Sequence, residues 1–361
     1  MATALDRALI GDEGLIPTSH KGLTYPFGDR SPQPGELLTV MPGIRWWRVP
    51  MSGPLKHVNG LILDDGDGAL AIDTGTAGER SVEAWRTILD QAMGGQRISR
   101  VLCTHMHPDH VGLAGWLCRK FDAPLLMTRT EWLTVRMLAA DARDETPGEM
   151  VAFWRASGWD EAQLALGAGR GWSHFGKMIA RMPLGFTRIQ DGQTLKIGGS
   201  DWQVVVGSGH SPEHACLLDR DRKVLIAGDQ VLPKISSNVS LGVMEPEGDP
   251  LGDWLASIAK LKQLPPDLLV LPGHGDPFYG LHARLDALDH EHRDRLDALV
   301  EHMADGPKRA VDCFGRLFRR AIGPDVIGMA TGEAMAHLRH LEVEGRAVKE
   351  IRDGVWWYRR A

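Results

Sequence analysis

Thr104-His105-Met106-His107-Pro108-Asp109-His110 follows directly on the apolar run Val101-Leu102-Cys103. The run predicts a buried strand of a layered α/β fold, which puts the polar cluster at the strand's carboxyl end. Residues two apart in extended backbone project to the same side. His105 and His107 can therefore grip one cation, while Asp109 and His110, past the bend at Pro108, can reach a second. Imidazole and carboxylate donors suit zinc, and also iron or manganese; a thiolate set would have pointed to zinc or an iron-sulfur cluster.

Three later segments share one local grammar, an apolar run followed by a glycine-flanked ligand type. Trp202-Gln203-Val204-Val205-Val206 leads into Gly207-Ser208-Gly209-His210, Lys223-Val224-Leu225-Ile226-Ala227 into Gly228-Asp229, and Leu268-Leu269-Val270-Leu271 into Pro272-Gly273-His274-Gly275. Glycine lets the backbone turn sharply and approach a metal closely. A single histidine on such a turn is most often an ordinary loop residue. Three such elements, in order behind the first cluster, make a shared centre the better reading.

These motifs, with the upstream Ala71-Ile72-Asp73-Thr74-Gly75, resemble the metallo-β-lactamase fold superfamily, and within it the glyoxalase II-like hydrolase branch. The resemblance covers roughly residues 40 to 280 and implies a four-layer αββα fold. It also implies that His105, His107 and His210 hold one metal, that Asp109, His110 and His274 hold the other, and that Asp229 bridges them. Asp73 would hydrogen-bond a ligand histidine or the loop backbone, or else cap the turn before the next helix. His107 stands where flavodiiron relatives usually carry glutamate. Asp229 stands where true β-lactamases place cysteine or serine.

Two divalent ions, zinc by this reading, would supply a metal-bridging hydroxide as nucleophile, since even one protein-bound zinc brings its water to a pKa near ~7. Asp109 could shuttle the proton and Asp229 would hold the pair of ions together. No serine or cysteine nucleophile is then required, and Cys103 reads as a buried strand residue. His214, before the apolar stretch Ala215-Cys216-Leu217-Leu218, is read as supporting the centre or contacting substrate, with an ordinary strand residue as the other option. The histidines at 282, 290, 292, 302, 337 and 340 fall in charged helical stretches and read as surface residues.

A carboxylic thioester of the acyl-glutathione or acyl-coenzyme A type is the expected substrate. A lactone or carboxylic ester is the nearest rival. Quorum-quenching lactonases of the superfamily use a tyrosine soon after the bridging aspartate, and Val231-Leu232-Pro233 follows here. Persulfide dioxygenases resemble the motif set but use a single iron on two histidines and an aspartate. Phosphodiesterase, ribonuclease and β-lactamase activities rank lower.

At 361 residues and 43% hydrophobic, the chain can bury a large core. Its net charge of −6 and lack of a long basic run give no footprint for nucleic acid or anionic membrane. Cysteines 103, 118, 216 and 313 show no paired spacing and read as reduced thiols. No signal-type or membrane-spanning run is visible, so a cytoplasmic protein acting on a small molecule, alone or as a homodimer, is expected.

The expected organisation is a Gly/Pro-rich wrapping segment over 1–42, a catalytic domain over 43–280, and a helical and winged-helix-like unit over 281–361. In the last, helices precede a hairpin around Asp353-Gly354. Within the catalytic domain, 128–185 reads as a helical insertion rich in Trp, Phe and Met. It could cap the cleft and offer an apolar wall to a substrate tail, or spend those side chains on its own core or a dimer face.

Overall fold

The computed structural model describes residues 15–361 except Ser52 and Pro54. Of the expected wrapping segment, 1–14 thus lies outside the described residues. The rest begins with a short hairpin, β1 (Thr18–His20) and β2 (Leu23–Tyr25). It buries Leu23, Tyr25 and Phe27 and bridges Thr24 to Tyr279, so it supplies core side chains as well as covering surface.

Seven strands then form one sheet in chain order: β3 (Leu38–Met41), β4 (Ile44–Pro50), β5 (His57–Asp65), β6 (Gly68–Ile72), β7 (Arg97–Leu102), β8 (Leu125–Met127) and β9 (Thr187–Arg188). The strands from β6 to β9 are parallel. Parallel neighbours need crossovers. Helices α1 (Glu79–Thr87), α2 (Pro108–Val111) and α3 (Ala114–Phe121) provide the first ones, and the insertion provides the last. A second sheet of five strands runs β10 (Thr194–Ile197), β11 (Ser200–Gly207), β12 (His214–Asp219), β13 (Val224–Gly228) and β14 (Leu269–Pro272), with β13 and β14 parallel.

The strands read as continuous apolar runs because both faces of both sheets are covered. Trp46, Leu61, Leu63, Leu70 and Leu102 meet Trp202, Val204, Leu217, Ile226 and Leu271 between the sheets. The alternate residues Trp47, Ile62, Ala71 and Val101 pack outward on Trp85 of α1 and Leu117 of α3. On the other side Val205, Leu218, Leu225 and Val270 pack on Trp254 and Ile258 of a further helix, Pro250–Leu261. The result is the four-layer αββα arrangement.

The insertion is helical: α4 (Arg129–Ala140), α5 (Gly148–Ala156), α6 (Glu161–Ala168) and α7 (Phe175–Met178). The helix Pro250–Leu261 is then α8. Beyond it stand α9 (Leu281–His302), the short α10 (Phe314–Leu317), α11 (Ile327–Val343), and the hairpin β15 (Ala347–Arg352) and β16 (Val355–Arg360) that turns at Asp353-Gly354. The insertion's aromatics are divided between two cores. Trp132 stacks on Phe186 beside the first sheet. Phe153, Trp154 and Trp159 join the core that holds Leu296, Leu338 and Tyr358, and Trp159 Nε1 donates to Thr331 Oγ1 at 2.9 Å.

The reading of all six late histidines as surface residues is corrected. His292, His337 and His340 are buried, because α9 and α11 pack on each other and on α8. Among the described residues no helix is long and apolar enough to cross a membrane.

Candidate metal centre

Five strand ends deliver the expected residues to one rim: Asp73 after β6, the 105–110 cluster after β7, His210 after β11, Asp229 after β13 and His274 after β14. Two glycines permit the close approach. A Cβ on Gly273 would lie 2.2 Å from Asp229 Oδ1, and Gly209, at φ +103°, leaves no room for a side chain against Trp254 of α8.

His105, His107 and His210 converge, with His105 Nε2 and His210 Nε2 at 2.8 and 3.1 Å from His107 Nδ1. Asp109, His110 and His274 form a second group, in which His274 Nε2 is 3.2 Å from Asp109 Oδ2. Asp229 lies between them, 3.6 Å from His210 Nε2, 3.4 Å from His110 Nε2 and 3.3 Å from His274 Nε2. All seven expected donors are therefore brought together.

The outer ring nitrogens show which atom each histidine presents. His110 Nδ1 donates to Asp73 Oδ2 (2.8 Å), His210 Nδ1 to the Asn238 carbonyl (2.8 Å) and His274 Nδ1 to the His57 carbonyl (2.6 Å). His105 Nδ1 donates to Thr104 Oγ1 (3.0 Å), whose hydroxyl donates to Asp73. Each partner fixes the tautomer and aims an Nε2 lone pair inward. One N–H on His107 could satisfy only one of its two facing nitrogens, whereas a cation satisfies all three. In the second group His110 Nε2, His274 Nε2 and Asp229 Oδ1 are buried with no hydrogen-bond partner. Buried polar atoms are rarely left so. The donor set fits divalent metal.

Charge agrees. Burial and the neighbouring rings push His105 well below the usual histidine value, and burial with His210 brings His107 to about 3. Burial would lower His110 and His274 as well, but the carboxylates of Asp229 and Asp109 outweigh it. His110 is raised well above its ordinary value and His274 to about 10. Burial likewise works to raise Asp109, yet the His110 and His274 rings hold it at about 2. Carboxylates that draw protons onto imidazoles in this way would accept a dication in their place.

Asp73 is buried and ties Thr104 and His110 together, and it does not cap α1, whose N-cap is Gly78. His214 is fully buried, stacks on His105, and accepts the Asp229 backbone N–H at Nε2 (3.0 Å). Cys103 is buried, and burial pushes its thiol well above the usual value.

Several supporting residues are not apparent from sequence. Thr74 Oγ1 donates to the His110 carbonyl (2.8 Å) and accepts from Leu113 N (3.0 Å), clamping α2. Glu131 of α4 accepts from Met106 N, Glu213 N and Ser211 Oγ at 2.9, 2.8 and 2.6 Å, joining the loops of His105 and His210. Asn238 and His57 act through backbone carbonyls, which carry no side-chain signal. A cavity of about 650 Å³ abuts the ligand loop at Pro108 and is lined by Met51, Ala77, Arg80, Lys177 and Met178 among others. Its volume suits a small-molecule ligand.

Fold and centre together define a layered αββα protein with a buried His/Asp cluster of metal-binding composition. The chain belongs to the metallo-beta-lactamase superfamily, whose domain matches residues 53–274. Residues 296–361 match the metallo-beta-lactamase-like C-terminal domain. A beta-lactamase domain protein from Burkholderia ambifaria, known from a crystal structure, is 38% identical with a TM-score of 0.86, covering 94% of this chain and 98% of that one. A probable metallo-hydrolase of Bacillus subtilis is 25% identical over 298 residues, 79% of this chain and 88% of that protein. An atrochrysone carboxyl ACP thioesterase of Aspergillus fumigatus is 24% identical over 249 residues, 68% of this chain and 44% of that protein. At this level the chain is a metallo-hydrolase of the superfamily.

Proposed function

We propose that the protein is a binuclear metal-dependent hydrolase of the glyoxalase II-like kind that cleaves a carboxylic thioester with an apolar acyl portion. The observation that carries this is the buried trio of His110 Nε2, His274 Nε2 and Asp229 Oδ1, unpartnered and facing a second cluster of three imidazoles. In this reading His105, His107 and His210 hold one ion, Asp109, His110 and His274 hold the other, and Asp229 serves both. Two dications held there, zinc by the donor set, would supply an activated water and a sink for the charge that develops on the carbonyl oxygen.

The chain's own groups do the rest. Asp109, ionised at neutral pH, turns Oδ2 toward His110 and His274, so its other carboxylate oxygen is the one that can take a proton from the attacking water and return it to the departing thiolate. Asp73, the carbonyls of Asn238 and His57, and Thr104 keep four imidazoles aimed, so little reorganisation is needed during the reaction. Cys103 is too buried to act as nucleophile. Met51, Ala77, Pro108 and Met178 offer an apolar wall beside the ligand loop, which suits an acyl or thiol arm. The thioesterase among the relatives favours a thioester over a lactone.

The test is a hydrolysis screen of the metal-loaded protein against thioesters, lactones, β-lactams and bis(p-nitrophenyl) phosphate. The highest kcat/KM on a thioester, independent of oxygen, is expected. Preference for any other class would replace the substrate assignment. One bound iron with oxygen consumption would replace hydrolysis itself.

A further inference from the structure

The contacts of His210 lead out of the catalytic layers. His210 Nδ1 donates to the Asn238 carbonyl at 2.8 Å, Asn238 Nδ2 donates to Glu333 Oε2 at 3.2 Å, and Arg295 Nη1 donates to Glu333 Oε1 at 3.1 Å. Glu333 belongs to α11 and Arg295 to α9, both in the carboxyl-terminal unit. We infer that Glu333 is a positioning residue for the metal centre, holding through Asn238 the carbonyl that orients His210. The inference rests on the proposed metal centre.

The loop that carries Asn238 is fastened to the same two helices along its length. Arg284 Nη2 of α9 donates to the Ile235 carbonyl (2.7 Å), Ser236 Oγ meets His292 Nε2 of α9 (3.2 Å), and Leu241 N donates to the Gly332 carbonyl of α11 (3.0 Å). Its inner edge reaches the centre twice, at His210 through Asn238 and at Asp229, whose carbonyl accepts from Ser237 Oγ. Stability does not by itself require the Glu333–Arg295 pair, because apolar residues of similar volume often do as well as a buried ion pair. Placing an acceptor for Asn238 does require it. Among the described residues the Glu333 carboxylate is the one side chain of the carboxyl-terminal unit that hydrogen-bonds Asn238, so that unit sets the direction of a proposed ligand in the catalytic domain.

Loss of a group that hydrogen-bonds a metal ligand directly costs about 10–100-fold in metal affinity, and Glu333, one contact further out, belongs at the low end of that range. The experiment measures zinc affinity by chelator competition, and the visible spectrum of the cobalt-loaded protein, for wild type, Glu333→Ala, Asn238→Ala, the double variant and Arg339→Ala. Asn238→Ala leaves the Glu333–Arg295 pair in place, which guards against simple unfolding of α11. Arg339→Ala breaks a strap from α11 to the Glu247 carbonyl that makes no hydrogen bond to His210 or Asn238. The expected result is affinity weakened about tenfold in both single variants with no further loss in the double, altered cobalt bands, and wild-type affinity in Arg339→Ala. Wild-type affinity and spectrum in folded Glu333→Ala and Asn238→Ala would overturn the inference and leave the metal centre standing. A wild type that binds no metal would overturn both.

Discussion

Asp73 shows how much one carboxylate does here. It sits at φ +57°, a left-handed conformation that aspartate tolerates better than most side chains, and it receives both the Thr104 backbone and His110 Nδ1. Asp73→Asn would turn one acceptor into a donor facing His110, so metal affinity should fall about 10–100-fold with the fold retained, read by metal analysis beside circular dichroism. Asp229→Ala removes the donor shared by both groups. Turnover and metal content should fall together by more than the about 10–100-fold that losing an outer hydrogen-bond partner costs, and unchanged activity would end the two-ion assignment. A pH consequence follows from His110 and His274, both raised above the ordinary histidine value by the carboxylates beside them. The same carboxylates favour a proton on each inward nitrogen in the absence of metal, and a metal must displace it, so zinc binding should release protons and affinity should fall as pH is lowered. Calorimetry in buffers of different ionisation enthalpy measures this, and the absence of proton release would show the charge assignment to be wrong.

At the scale of elements, what is legible in the sequence is what recurs at short range. The 105–110 cluster stands out because four ligand types crowd six positions after an apolar run, and the glycine-flanked His210, Asp229 and His274 repeat one strand-to-loop pattern. Glu131 is not legible. It is one acid on an amphipathic helix, and its role depends on where α4 crosses the loops of His105 and His210. Burial raises its carboxyl to about 7 despite three donors. The folded state therefore holds that proton more tightly than the unfolded chain does, and the contribution to stability is full below the ordinary glutamate value and fades as pH rises through about 7. Glu131→Gln should flatten the stability of the metal-free protein between about pH 5 and pH 8, followed by denaturant midpoints. The same slope in wild type and variant would place the titration elsewhere. Asn238 and His57 are invisible for a different reason, since a carbonyl oxygen belongs to every residue.

For the whole molecule, the layered αββα order can be read from alternating strands and helices, and the carboxyl-terminal helices and hairpin from their spacing and the Asp353-Gly354 turn. The way these parts share a core cannot be read so. Apolar faces of α9 and α11 look like any amphipathic faces, and the charged residues between them hide that His292 and His337 meet at 3.2 Å inside. The insertion is similar, since half of its aromatics serve the carboxyl-terminal unit, with Trp154 stacked on Trp159. One core joins α5, α6, α8, α9 and α11. Each large apolar side chain exposed by deleting 281–361 would forfeit about 1.5–3 kcal/mol, and a few such losses match the whole net stability of about 5–15 kcal/mol. That deletion should therefore give no folded, metal-binding protein, as judged by circular dichroism and zinc content.

The central claim is that two cations share Asp229. Anomalous diffraction at the zinc edge from crystals of the zinc-loaded protein tests it most directly. Two peaks are predicted, one within bonding distance of His105, His107 and His210 and the other of Asp109, His110 and His274, each also bonded to Asp229. A single peak, or zinc lying away from Asp229, would contradict the account.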